Sequence, residues 1–282
     1  MENEKNDTPE KTTETDIYAH KLALADLLRE QAIRSAIQGL KLPLGSRGLD
    51  AGCGIGSHTL LLAEAVGPGG QVIGLDLSSG ILVIAQEFAK KSGLEEQVSF
   101  QEGDVNGLPF DDDTFDWAWS VDCVGYYRDG EPLTLVKELA RVVKPGGSIA
   151  ILFWSSQQLL PGYPLLEARL NATSPGIAPF SKGKKPELHF LRALGWFHEA
   201  GLIETGAQTF VGDVHAPLGD DICSALISLF QMRWGEPQTE LSQEDWEKYQ
   251  RLSQPDSPDF ILNLPDYYAF FTYSLFSEKV AQ

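Results

Sequence analysis

Three glycines at alternate positions, Gly52, Gly54 and Gly56, lie between two aspartates, Asp50 and Asp76, in the stretch GLDAGCGIGSHTLLLAEAVGPGGQVIGLDLS. Glycine has no Cβ to hold a ligand away from the backbone, so a turn built this way lets main-chain amides come close to a bound molecule. An aspartate delivered at the carboxyl end of the next strand stands where the two hydroxyls of a ribose can donate to it. The pattern is that of a nucleotide-cradling strand, turn and helix. Asp104 closes a third apolar run as Asp76 closes the second, and Asp122 closes a fourth. Asp122 is the candidate to orient or deprotonate a second substrate. Cys53, inside the turn, reads as a small buried filler rather than a nucleophile.

The glycine turn can be classified from its spacing. A dinucleotide fingerprint requires another glycine three residues after the second one, and that position is Ser57. The tighter spacing, preceded by Asp50 and followed by Asp76, resembles motif I of class I S-adenosylmethionine-dependent methyltransferases. Three further segments agree: Asp104 in GDVNGLPFDDDTFD, the run FDWAWSVDC in the place of motif IV, and VKPGG at 143–147 for the family's Leu-Lys-Pro-Gly-Gly. The resemblance covers about residues 40–154 and is close to the branch containing small-molecule methyltransferases such as those of ubiquinone and menaquinone synthesis.

This resemblance implies S-adenosylmethionine as cofactor. Asp50, Gly52, Cys53, Gly54 and Gly56 would line its methionine side, and Asp76 would take the ribose hydroxyls. Leu77 would press on one adenine face, while Asp104 would accept from the exocyclic amine and the amide of Val105 would read a ring nitrogen. The backbone carbonyl of Ser120 would face the methionine portion. The nucleic-acid amino-methyltransferases carry Asn-Pro-Pro-Tyr or Asp-Pro-Pro-Tyr in motif IV, and this chain does not. In the family, helices ahead of the first strand fold over cofactor and acceptor, which makes Tyr18 and His20 candidate contacts.

The elements that must position these residues follow from periodicity and turn chemistry. Strands are expected at 47–51, 72–75, 98–102, 115–120 and 148–153, and helices at 59–66, 80–91 (capped by Ser78 or Ser79) and across the stretch beginning at Leu133. Pro145 and Gly146 suit the two central positions of a type II turn over 144–147. Asp16 is a plausible cap for one or two helices running to Leu40. Beyond Trp154, the prolines of 155–186 break regularity, although Leu159, Leu160, Tyr163, Leu165 and Leu166 are too apolar for a free linker. A helix at 187–200 and a strand at 202–214 follow, then helices at 217–234 and 242–252, and a last strand at 270–276 set antiparallel beside the sixth. His189 and His198, nine apart, lack the spacing for a metal, so none is expected.

Composition bounds the function. The chain has 282 residues, 43% of them hydrophobic, which is enough for one large domain. A net charge of −18 disfavours nucleic acid and acidic membrane surfaces as partners, because phosphate contacts need clustered Lys and Arg. Three dispersed cysteines fit a reducing compartment, and no apolar run reaches membrane-span length. A cytoplasmic location follows. Residues 1–15 are charged and lack an apolar anchor, as in a disordered tail.

The expectation is therefore an α/β fold, a doubly wound, mostly parallel seven-stranded sheet with leading helices and a helical insertion near the carboxyl terminus. A single domain over 16–282 would have its core at 40–154, 187–214 and 266–280 and lid segments at 16–39, 155–186 and 215–265. Those lids would roof an apolar pocket above 120–127 for a small lipophilic or aromatic acceptor, in a monomer or homodimer. Two other readings share the same sheet: a protein that binds the cofactor without turnover, and a nicotinamide-dependent oxidoreductase.

Overall fold

A computed structural model describes residues 13–123, 132–177, 185–202, 205–235 and 239–280. The leading segment is one helix, α1 (Glu14–Leu40). Thr13 rather than Asp16 caps it: the Thr13 hydroxyl accepts from the Asp16 amide while the Asp16 carboxylate accepts from the Thr13 amide, a reciprocal capping box. An N3 acid looks like an N-cap in sequence when the true cap stands three residues earlier.

The next stretch alternates strand and helix as the periodicity requires: β1 (Arg47–Ala51), α2 (Ser57–Val66), β2 (Gln71–Asp76), α3 (Ser79–Lys91), β3 (Val98–Glu102), β4 (Phe115–Val121), α4 (Pro132–Val142) and β5 (Val143–Gln158). Ser78 caps α3 through its hydroxyl. Gly146 takes a positive φ of 81° as the turn chemistry demands. Its amide and the Gly147 carbonyl pair with Val280, so β5 runs straight through that turn and is far longer than its apolar centre suggests.

The later elements depart more from expectation. Within 155–186, α5 (Pro164–Asn171) begins at a proline, which is tolerated at the first helical position because the amide there has no partner anyway. The helix expected at 187–200 is instead two 3-10 turns, Pro186–Leu188 and Phe190–Arg192, followed by a short α6 (Ala193–Glu199). Then come β6 (Gly206–His215), α7 (Asp220–Trp234), α8 (Gln243–Ser253) and β7 (Tyr268–Lys279).

The seven strands form one sheet in the order β3-β2-β1-β4-β5-β7-β6. The first five are parallel, whereas β7 runs antiparallel to both of its neighbours, β5 and β6. Each face carries its own core. One holds Trp117, Trp119, Trp154 and Tyr273 with residues of α1, α2 and α7, and the other holds Leu49, Phe115, Ile149 and Phe153 with α4 and α6. A Cβ at Gly48 would stand 2.0 Å from the Trp117 ring, so the absence of a side chain there seats the indole, whose Nε1 donates to Ser46 Oγ at 2.9 Å. Among the described residues, no helix is long and apolar enough to cross a membrane.

Candidate functional site

The strand order reverses at β1 and β4, and the carboxyl ends of β1, β2, β3 and β4 meet there, the place where open sheets of this kind bind ligands. Gly52, Gly54 and Gly56 all have positive φ, 82°, 53° and 81°. At Gly52 a Cβ would lie 2.6 Å from Cys123 Sγ, and at Gly56 one would lie 2.9 Å from the Phe100 ring, so the fold itself forbids side chains at these two positions. Gly54 differs. Its Cβ would approach Leu22 Cδ1 of α1 at 3.3 Å and nothing else within 4 Å among the described residues. The turn leads into α2 with no side-chain cap, which leaves first-turn amides to be satisfied by a ligand or solvent.

Asp76 is tied to this turn. Its Oδ2 accepts from the Gly54 amide at 3.0 Å and its Oδ1 from the Ser78 amide at 3.0 Å, while the amides of Gly52 and Cys53 donate to the Leu75 carbonyl. Leu77 beside it is 41% exposed, available as a flat apolar surface. Asp104, beyond β3, accepts through Oδ1 from the amide and side chain of Asn106, and the amide of Gly103 donates to the Asp76 carbonyl, joining the two strand tips. Val105 packs partly against the second core.

Asp50 is 1% exposed and accepts from Thr59 Oγ1 at 2.7 Å. Burial, with the Asp76 charge adding to it, pushes its pKa up to about 7. Burial and the charges of Asp50 and Asp76 likewise hold the Cys53 thiol protonated, in keeping with a filler rather than a nucleophile. Ser120 is fully buried and its hydroxyl donates to the Ala51 carbonyl at 2.7 Å, which locks the end of β4 to the end of β1.

Asp122 sits one residue beyond β4 with a left-handed φ of 48°. Both carboxylate oxygens have partners: Oδ1 accepts from the Trp154 amide at 2.8 Å, Oδ2 from the Tyr273 hydroxyl at 3.0 Å, and Arg29 lies 3.5 Å from Oδ2. Burial raises its pKa and Arg29 opposes the rise. The carboxylate thus joins α1, β4, β5 and β7. Arg29 pairs more closely with Asp26, at 2.6 Å, and Asp26 in turn lies 3.6 Å from His58 Nε2 in α2. Burial, then the Arg29 charge, drive the His58 pKa down to about 3, so this imidazole is neutral.

Tyr18 and His20 are exposed on α1. Leu159, Leu160, Leu226, Leu229, Phe230 and Trp234, expected in a roof, are buried in the main core instead. Of the motif IV stretch, 124–127 lie outside the described residues, as do 1–12 of the expected tail and Phe180. His189 accepts from the Leu191 amide, and among the described residues no group of three or more His, Cys, Asp or Glu is placed to hold a metal. Sequence reading did not find Asp26, Arg29, His58 or Tyr273. Each sits within an amphipathic pattern that explains it as ordinary packing, and only the three-dimensional meeting of four elements gives it a role.

A methyltransferase-domain model matches residues 49–147, the glycine turn through VKPGG. A demethylmenaquinone methyltransferase of Bacillus cytotoxicus is 41% identical over 121 residues, 42% of this chain and 48% of that protein. The match therefore spans about half the length of that relative. One from Staphylococcus aureus is 32% identical over 186 residues, 61% of this chain and 74% of that protein. Among solved structures, phosphoethanolamine N-methyltransferase 2 of Haemonchus contortus, in complex with S-adenosyl-L-methionine, is similar in fold. It is 19% identical with a TM-score of 0.55, covering 97% of this chain and 59% of that one.

Proposed function

The chain belongs to the class I S-adenosylmethionine-dependent methyltransferases, and on that premise we propose that it transfers a methyl group to a small lipophilic or aromatic acceptor of quinone type. The observation that carries the cofactor part of this reading is the hydrogen bond from the Gly54 amide to Asp76, which fixes a carboxylate suited to ribose hydroxyls against a glycine turn that a ligand can approach. The residues present fit the cofactor: Asp76 and Asp104 bring carboxylates to the strand ends, suited to a cationic nucleoside, and a Cβ at Gly54 would meet only Leu22 of α1 within 4 Å among the described residues. The cofactor supplies, when bound, a methyl group on a positively charged sulfur that leaves readily.

In this reading the protein binds and aligns. Asp76 accepts from the ribose hydroxyls, Leu77 covers one face of the adenine, and Asp104 and the Val105 amide read its edge. The Gly52–Gly56 turn and the Ser120 carbonyl hold the methionine portion, with Cys53 filling the turn from below. The acceptor then needs only to stand in line with the methyl carbon in a site from which water is excluded. The relatives named demethylmenaquinone methyltransferase support the quinone-type acceptor, as does a net charge that disfavours polyanions.

Calorimetric titration with S-adenosylhomocysteine, followed by transfer of labelled methyl to a panel of reduced quinones, tests this. Binding in the micromolar range with label appearing in a quinone product is expected. A folded protein that binds neither the cofactor nor its product analogue would overturn the reading.

A further inference from the structure

The layer between α7 and the outer half of the sheet buries polar groups that an apolar core does not require. The β5–β7 ladder pairs Trp154 with Tyr273 and Gln157 with Phe271, and the irregularity between Trp154 and Ser156 brings Gln157 onto the same face as Trp154. Trp154 is fixed there, stacked on Phe271 at 4.9 Å and edge-on to Tyr273 at 5.6 Å. Over the indole lies Arg233 of α7, its guanidinium carbon 5.6 Å from the ring centroid. Arg233 Nε is buried without a hydrogen-bond partner, and so is Gln157 Oε1.

Asp122 is the carboxylate whose charge Arg233 feels, yet the hydrogen bonds of Asp122 go to Trp154 and Tyr273 and its ion pair to Arg29. Among the described residues, Arg233 forms no ion pair of its own. An orphaned donor on a cation and an orphaned acceptor, both on the face that Trp154 presents, ask for a ligand that carries a negative oxygen and a polar hydrogen. Asp122 stands two residues beyond Ser120, so this face adjoins the strand ends where methyl transfer would occur.

We propose that Arg233 is the specificity-determining residue of the acceptor site and holds the anionic oxygen of an ionised aromatic hydroxyl or enol. This rests on the methyltransferase reading above. Trp154 sets the plane of the guanidinium, and Gln157 Oε1 accepts from a neutral hydroxyl on the same molecule. An ionised aromatic hydroxyl fits for two reasons: it is nucleophilic toward a sulfonium methyl, and its single charge matches one arginine beside a carboxylate. A phosphate would bring a second negative charge toward Asp122. Arg233 lies outside residues 49–147, so the preference belongs to the part of this chain that the shared methyltransferase domain does not cover.

The test isolates the contact to Arg233 with a matched pair that differs only in the anionic oxygen, 2-hydroxy-1,4-naphthoquinone, ionised at neutral pH, and its 2-methoxy ether. Each is titrated into the full chain with and without S-adenosylhomocysteine, whose own affinity is measured separately. The enolate should bind about tenfold or more tighter than the ether. Arg233→Gln should abolish that preference, Arg233→Lys should keep part of it, and neither should change affinity for S-adenosylhomocysteine. Equal affinity for the two probes, no binding of either, or a preference that survives Arg233→Gln in a protein with an unchanged melting temperature overturns the proposal. Loss of S-adenosylhomocysteine binding with the enolate preference intact would count against the cofactor reading alone and leave the acceptor site standing.

Discussion

The Gly54 amide donates to Asp76 Oδ2 at 3.0 Å, so the strand-end carboxylate and the glycine turn that precedes it by two elements act as one unit. Because the second oxygen accepts from Ser78, the carboxylate is fixed in orientation before any ligand arrives. Such preorganisation lowers the entropy that binding must overcome.

Removing that carboxylate should weaken S-adenosylhomocysteine binding strongly. Hydrogen bonds to a charged group contribute roughly 1.5–3 kcal/mol each, and every 1.4 kcal/mol is about tenfold, so Asp76→Ala is expected to lose one to a few decades of affinity. Asp76→Asn, which can still accept from one amide, should lose less. Unchanged calorimetric affinity in folded Asp76→Ala would remove the ribose assignment.

Gly54→Val tests the approach of backbone to ligand. A φ of 53° makes any branched residue strained there, and the added atoms would press on Leu22 of α1. The variant should melt some degrees lower and bind S-adenosylhomocysteine poorly. Adding Leu22→Ala should restore part of the melting temperature but not the affinity. Normal affinity in the single variant would show that this glycine serves only the turn.

Asp50 makes stability depend on pH in a definite direction. Its folded pKa, about 7, lies above its ordinary value because of burial and then the charge of Asp76, so the fold favours the protonated form. The stabilisation is therefore complete below the unfolded pKa of about 4 and is lost as pH rises to about 7. Asp50→Asn imitates the protonated group and should melt a few degrees above the unmodified chain at pH 8 and no higher at pH 4. Equal shifts at both pH values would contradict the assignment.

Glu167 offers a stability test away from the site. It is 1% exposed and its two oxygens accept from the amides of Leu159 and Leu160, at 2.7 and 3.0 Å, which ends β5 and starts the run into α5. Glu167→Ala strands two buried amides and should cost roughly 2–4 kcal/mol. Glu167→Gln, with one acceptor left, should cost about half as much by chemical denaturation. Cofactor affinity should be unaffected in both.

Elements built on strong local signals were legible in the sequence. The glycine turn, Asp76 at a strand end, Ser78 as a cap and the Pro145–Gly146 turn all rest on backbone chemistry within four residues, and all stand where that chemistry puts them. What escaped depends on distant partners. The 187–200 stretch has helical composition, but Trp196 Nε1 donates to the Glu187 carbonyl at 2.9 Å, which folds the first half back as 3-10 turns. The apolar residues of α7 look like a roof in sequence because nothing local shows that α1 will cover them. Asp122 looked like a free strand-end acid, and only β7, some 150 residues later, supplies the tyrosine that engages it.

The place of β7 in the sheet also orders events during synthesis. Among the described residues it is the last strand in sequence yet lies between β5 and β6, and β6 pairs with no other strand. While the chain emerges from the ribosome, β1 to β5 can assemble as soon as they appear. The helix α7 can pack on α1 once it is made, but β6 must wait for its hydrogen-bonding partner until residues 268–279 arrive. The Tyr273 contact to Asp122 forms only then, so this buried network is completed after the glycine turn and Asp76 are in place. A nascent chain halted before residue 268 should accordingly be the form most in need of a chaperone.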